Sequence, residues 1–264
     1  MKSNNRYLGA LIIAPILIFI FLGGVYLKYF TILISMIGMY EFYKTMKVKD
    51  FNPIWPVGYA LLICYYFINA DIEKLVYLLI IALIILFCIP VINTKYTFID
   101  VSLTILGFLY VGVFFSFIYL INAMPNGKFL VWLIFLASWL CDTVAYYTGK
   151  YLGKRKLCPK VSPKKTIAGS VGGLFGSTLA LSVYGYFINS FIHNIPFYHY
   201  IIIGILCGVF CQFGDLIASS IKRYVGIKDY SNLIPGHGGI LDRFDSILFA
   251  STIIYMYLHL VLSI

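Results

Sequence analysis

Leu75 to Ile92 reads L-V-Y-L-L-I-I-A-L-I-I-L-F-C-I-P-V-I, without one charged side chain. Wound as an α-helix at about 1.5 Å per residue, it covers about 27 Å, close to the roughly 30 Å hydrocarbon core of a bilayer. Apolar runs of the same kind lie on either side: Tyr7 to Leu22, Tyr29 to Tyr43, Pro56 to Phe67, Val101 to Ile121, Phe129 to Tyr147, Ile167 to Ile192, Tyr198 to Ile221 and Ser246 to Leu262. Together they predict about nine transmembrane helices. The second and third are short, so either they extend into their flanks or one is re-entrant.

Composition agrees: of 264 residues, 61% are hydrophobic and only 11% charged, which excludes an ordinary soluble domain. No long linker, low-complexity tract or internal repeat interrupts the pattern. The expected fold is all-α, a polytopic integral membrane protein forming a single domain over residues 1–264. The first run follows Lys2 and Arg6, but Gly23-Gly24 offers no small-x-small cleavage site and further spans follow at once, so it reads as a retained span.

Basic residues near span ends stay on the cytoplasmic side. With the N-terminus cytoplasmic, every Lys and Arg except Lys28, Lys74 and Lys128 falls on that side. An odd number of spans with the C-terminus outside follows. The net charge of +10 is therefore mostly a topology signal, and no soluble fold presents it to a nucleic acid. Attraction to anionic membrane lipid is a modest addition at Lys44, Lys47 and Lys49. The six cysteines form no CxxC, and Cys207 and Cys211, one helical turn apart, read as small apolar filler. His193, His199 and His259 fall at outer span ends; only His237 lies in a charged, Gly-rich context.

Two cytoplasmic loops exceed what topology needs. Thr143 to Gly214 holds no acidic residue, yet its first part carries Lys150, Lys154, Arg155, Lys156, Lys160, Lys164 and Lys165. Within it, Ser162-Pro163-Lys164-Lys165-Thr166 runs into a helix start, where hydroxyls, paired lysines and helical N–H groups suit a phosphate. The glycines beyond (Gly169, Gly172, Gly173, Gly176) are spaced for close helix packing. The second loop, Ser219 to Asp245, carries Lys222, Arg223, Lys228 and Arg243 with Asp229, Asp242 and Asp245, and Asp215 stands just upstream. Asp215, Ser219 and Lys222 share a helix face, as do Asp242 and Asp245. Asp142 and Asp215 lie within spans, where an unpaired acid is costly. A set of ion pairs tying span ends together would explain any one of these acids. Three spans bringing acids to one depth beside two cationic loops favour a metal and phosphate site.

The run Ser219-Ser220-Ile221-Lys222-Arg223, Lys228-Asp229-Tyr230-Ser231, then Leu233-Ile234-Pro235-Gly236-His237-Gly238-Gly239-Ile240-Leu241-Asp242-Arg243-Phe244-Asp245 resembles the signature of the phosphatidate cytidylyltransferase (CDP-diacylglycerol synthase) family. The likeness extends through Gln212-Phe213-Gly214-Asp215, through Asp142-Thr143-Val144-Ala145-Tyr146 with Gly149 and Gly153, and through Ser162-Pro163-Lys164-Lys165-Thr166. The catalytic part is thus about 142–245, while the N-terminal half matches only as generic spans. One departure stands at Ala168, where the family carries Glu two residues past the Thr.

The resemblance implies transfer of CMP from CTP to phosphatidic acid, giving CDP-diacylglycerol and pyrophosphate, with Mg2+ as cofactor and a second metal ion left open. It implies a bacterial inner (cell) membrane location with the site facing the cytoplasm; a homodimer is left open. Metal binding falls to Asp215 and Asp242, with Asp245 and Asp142 beside them. Catalytic cations are Lys165, Lys222, Arg223 and Arg243. Substrate binding falls to Ser162, Lys164, Lys165, Thr166, Ser219 and Lys228, and to His237, Gly238 and Gly239 through backbone N–H groups. Two rivals remain. A CTP-dependent polyprenol kinase would use similar parts to move the terminal phosphate. A secondary transporter would place its ionisable groups near the midplane in repeated, interrupted helices.

Overall fold

A computed structural model of the chain describes residues 17–192, 195–234, 236 and 238–264. Most of the first apolar run lies outside the described residues; its end, 17–22, is helical. The helices that follow are α1 (Gly24–Met46), α2 (Trp55–Phe67), α3 (Ile72–Ile92), α4 (Phe98–Ala123), α5 (Gly127–Leu152), α6 (Ile167–Ile188), α7 (Phe197–Val225) and α8 (Leu241–Leu260). Five of them, α3 to α7, are long and apolar enough to cross a membrane. Charge sets α1 and α8 apart: Lys28, Glu41 and Lys44 interrupt the first, and Asp242, Arg243 and Asp245 crowd the start of the second. At 13 residues, α2 is short, as the sequence led one to expect.

Helix ends fall where local chemistry predicts. The Asp71 carboxylate accepts from the N–H groups of Glu73 and Lys74 to start α3, and Thr97 with Asp100 forms a capping box at the start of α4. Gly226, at φ 87°, closes α7 by donating to the Lys222 carbonyl, the left-handed residue that glycine tolerates best. Inside α4, Phe108–Val113 forms a π-helical turn.

The helical fold carries one short β element. Between α5 and α6 lies an antiparallel hairpin, β1 (Lys156–Cys158) and β2 (Ser162–Thr166), in which Lys156 faces Thr166. The Ser-Pro-Lys-Lys-Thr run is therefore a strand that delivers its lysines to a fixed place, and its last residue, Thr166, becomes the N-cap of α6 by accepting from the Gly169 N–H at 3.1 Å.

In the C-terminal half, α5, α6, α7 and α8 pack in sequence order. The glycine-rich face of α6 allows α5 to come close: a Cβ at Gly172 would collide with the Thr148 side chain, and one at Gly173 would lie 3.1 Å from the Cys141 carbonyl oxygen. In lipid, where no hydrophobic force drives helix pairing, this intimate packing carries the association. The N-terminal half is held by aromatic contacts instead, among them Phe42–Tyr110, Tyr65–Phe108 and Phe115–Phe244, the last reaching across to α8.

Candidate active site

Two adjoining polar centres lie where α5, α7 and α8 meet the hairpin and the loop before α8. The first is a cavity of about 330 Å³ lined by Asp142, Tyr146, Lys150, Lys164, Lys165 and Asp215, with Thr166, Ser170 and Gln212 completing the wall. Strand β2 brings Lys165 across to α7, where its Nζ stands 2.7 Å from Asp215 Oδ2 and 3.4 Å from the Gln212 carbonyl oxygen. Ser219, one turn further along α7, donates to the other Asp215 oxygen at 3.2 Å. From α8, Ser246 donates its hydroxyl to Asp142 at 3.1 Å and its N–H to Asp245 at 2.7 Å. Asp142, Asp215 and Asp245 each lie within the field of at least one of the other two, and Lys165 and Arg243 act on Asp142 as well.

The second centre is the loop itself. Lys222 Nζ meets Asp242 Oδ1 at 2.6 Å, with 11% and 3% of their side chains exposed. The other Asp242 oxygen accepts from the N–H groups of Tyr230 at 2.8 Å and Gly239 at 2.9 Å. Both Asp242 oxygens are therefore engaged inside the loop. The Tyr230 hydroxyl donates to the Ala218 carbonyl, and burial pushes its phenol well above the ordinary range, keeping it a neutral donor.

The predicted residues thus divide. Asp142, Asp215, Lys164, Lys165 and Thr166 gather at the cavity, although the Thr166 hydroxyl is already used as a cap; Ser162 stands at the far end of β2. Asp245 joins the carboxylates from α8. Asp242 and Lys222 form the loop's inner pair. Arg223 donates to the Ile227 carbonyl at 3.3 Å and so binds the end of its own helix, and Lys228 is exposed on the loop. The Gly239 N–H, expected to serve a ligand, donates to Asp242 here at 2.9 Å. Gly238, at φ 82°, instead gives its carbonyl to Ile234. His237 lies outside the described residues. Among those described, no three His, Cys, Asp or Glu side chains converge as a ready-made metal cage.

One residue escaped the sequence reading. Glu41, 1% exposed on α1, accepts from the Ser231 hydroxyl at 2.6 Å, the Ile240 N–H at 3.0 Å and the Leu241 N–H at 2.9 Å. It caps α8 from another helix and presses against Gly239, where any side chain would strike the carboxylate. Its signal was present: Glu41 is the sole charged residue in the run Tyr29 to Tyr43, and an acid in such a run calls for a partner.

A helical bundle with membrane-length spans that collects carboxylates and lysines around a cavity has the parts that a membrane enzyme acting on phosphate groups requires. Comparison with known proteins makes this specific: residues 4–261 match the Cytidylyltransferase family, and the chain belongs to that family. It is 33% identical over 255 residues to the phosphatidate cytidylyltransferase of Bacillus subtilis (strain 168), covering 92% of this chain and 94% of the relative. It is 34% identical over 255 residues to that of Staphylococcus saprophyticus (94% and 95% covered), and 33% identical over 256 residues to that of Staphylococcus aureus (strain COL), with the same coverage.

Proposed function

We propose that the chain is a phosphatidate cytidylyltransferase: it joins the phosphate of phosphatidic acid to the α-phosphorus of CTP. An oxygen of the lipid phosphate forms the new P–O bond, the α–β anhydride bond of CTP breaks, and pyrophosphate leaves. The observation that carries this reading, beside family membership, is the cavity that sets Lys150, Lys164 and Lys165 against Asp142 and Asp215.

The nucleophile is already an anion, so no base need create it. The barrier is the approach of one anion to another, and it falls through positioning and charge neutralisation. Lys165 is held ready by Asp215 and partly exposed, so an arriving phosphate can take its ammonium from the carboxylate. Lys164 and Lys150 add positive charge at the rim. The loop pair Lys222–Asp242 keeps a second cation fixed beside the start of α8.

Mg2+ is the expected cofactor, and the donor set suits it. Magnesium keeps several waters and needs only one or two carboxylates plus substrate phosphates, so the lack of a three-carboxylate cage is no obstacle. Asp215 would hold it, with Asp142 and Asp245 beside it; Asp242 would join only by releasing Lys222. Bound there, the ion would neutralise phosphate charge as the anhydride opens.

The charge asymmetry supports about nine spans, a cytoplasmic N-terminus and both loops facing the cytoplasm, in a bacterial inner membrane. CTP then enters from water while the acyl chains stay in the bilayer. The decisive experiment is incubation of the purified protein with CTP, phosphatidic acid and Mg2+, scoring lipid-linked CMP and pyrophosphate. A polyprenol kinase would release CDP from CTP, and a transporter would form no covalent product.

A further inference from the structure

Tyr110 sits within the π-helical turn Phe108–Val113 of α4. A π turn breaks the regular hydrogen-bond ladder, and such turns persist mainly where they re-aim side chains at functional sites. Here the side chain turns inward, leaving Tyr110 6% exposed. Its ring packs against Phe42 at 6.1 Å, Phe114 at 6.0 Å and Phe249 at 6.3 Å between centroids. Phe249 stands one helical turn beyond Asp245 on α8 and lies against Gly214, the neighbour of Asp215: a Cβ on Gly214 would meet the Phe249 ring at 2.8 Å. Through Phe249 the Tyr110 ring is thus one side chain removed from the stretch of α7 and α8 that carries Asp215 and Asp245.

The hydroxyl of this ring is buried and has no hydrogen-bond partner among the described residues. Buried hydroxyls are normally satisfied, and an orphan needs a reason. The carboxylates of Asp245, Asp215 and Asp242 are near enough to act on it electrostatically, yet none accepts its proton in a hydrogen bond. Tyr200, also buried without a partner, has no such neighbours among the described residues.

We propose that Tyr110 contacts substrate, its hydroxyl donating a hydrogen bond to a non-bridging phosphate oxygen bound at the carboxylate cluster. This rests on the reading of that cluster as the phosphate-transfer site. A phosphate oxygen is an acceptor with charge, the natural complement of an unused donor. A neutral phenol also supplies that contact without adding a cation, which the carboxylates would capture as Asp215 captures Lys165. Both the CTP triphosphate and the lipid phosphate present such oxygens.

The test compares purified Tyr110→Phe and Tyr200→Phe in lipid nanodiscs with CTP, phosphatidic acid and Mg2+, with Asp215→Asn alongside. Phe keeps the ring and its packing and removes the oxygen alone. Tyr110→Phe should lose about 10- to 100-fold in kcat/KM, the worth of a hydrogen bond to a charged group, while its unfolding temperature stays level or rises. Tyr200→Phe should keep parental activity. Weaker equilibrium binding of CTP to Tyr110→Phe in the absence of lipid assigns the contact to the triphosphate. Unchanged CTP binding with a raised KM for phosphatidic acid assigns it to the lipid phosphate. Turnover and both constants within twofold of the parent would overturn the proposal, as would a loss that follows a matching fall in unfolding temperature. Full activity of Asp215→Asn would remove the site reading and this inference together. An inactive Asp215→Asn beside a fully active Tyr110→Phe would remove the inference alone.

Discussion

Replacing Glu41 by Gln isolates the hold of α1 on the signature loop. The side chain keeps its shape, but only one of its two ends remains an acceptor. With its oxygen toward Ser231 and Ile240, the amide NH2 faces the Leu241 N–H, donor against donor; reversed, it faces two donors. The better choice leaves one buried N–H unpaired, about 1–3 kcal/mol, and turns two charge-assisted hydrogen bonds into neutral ones, about 1 kcal/mol each. After local relaxation, roughly 2–4 kcal/mol against the ordered loop is expected. At 1.4 kcal/mol per factor of ten, that is an activity loss of about 30- to 1000-fold if the ordered loop is required for turnover. The control is Glu73→Gln, the same chemical change at the chain's other glutamate, near the exposed start of α3; it should change activity less than twofold. Turnover is measured at matched protein concentration, and loop order by protease cleavage between α7 and α8. Parental turnover of Glu41→Gln with an intact cleavage pattern would refute the argument.

Four further outcomes follow from the same geometry. Asp215→Asn abolishes turnover with little change in unfolding temperature, because its pair with Lys165 is about a third exposed; Asp242→Asn lowers both, since breaking the buried Lys222 pair costs about 3–5 kcal/mol. Activity of Asp215→Asn across a magnesium titration would contradict its role. Lys165→Ala loses far more activity than Lys154→Ala, though each removes one charge from the same connection; equal small losses would show that only total charge matters. Cysteines placed by Lys156→Cys and Lys228→Cys in a cysteine-free background stay unlabelled by an impermeant thiol reagent outside intact cells, and labelling would reverse the topology. Gly172→Val pushes α6 away from Thr148 on α5 and destabilises the detergent-solubilised protein by about 1–3 kcal/mol, read as a lowered unfolding temperature.

The sequence alone determined the class of molecule, because hydrocarbon thickness and the cost of buried charge act on composition directly. A run such as Leu75 to Ile92 has no place in water, and the five helices of membrane-spanning length fall on five of the predicted runs. Helix ends are set locally too, since Asp71, Thr97 and Gly226 act on backbone groups a few residues away. The signature pointed to the right family, to which the chain belongs over residues 4–261.

What each of those side chains holds was decided only by tertiary structure. Lys165 and Asp215, far apart in sequence and out of reach of local spacing rules, meet because β2 swings back against α7. Which groups meet the two Asp242 oxygens is set by where Lys222, Tyr230 and Gly239 come to rest. Glu41 and Tyr110 lie in the half of the chain whose sequence reads as generic spans. Neither belongs to a motif, and one finds loop N–H groups some 200 residues away while the other lies buried in a π turn. A side chain's type and its neighbours along the chain are local properties; its partner is chosen by packing, which depends on every helix at once.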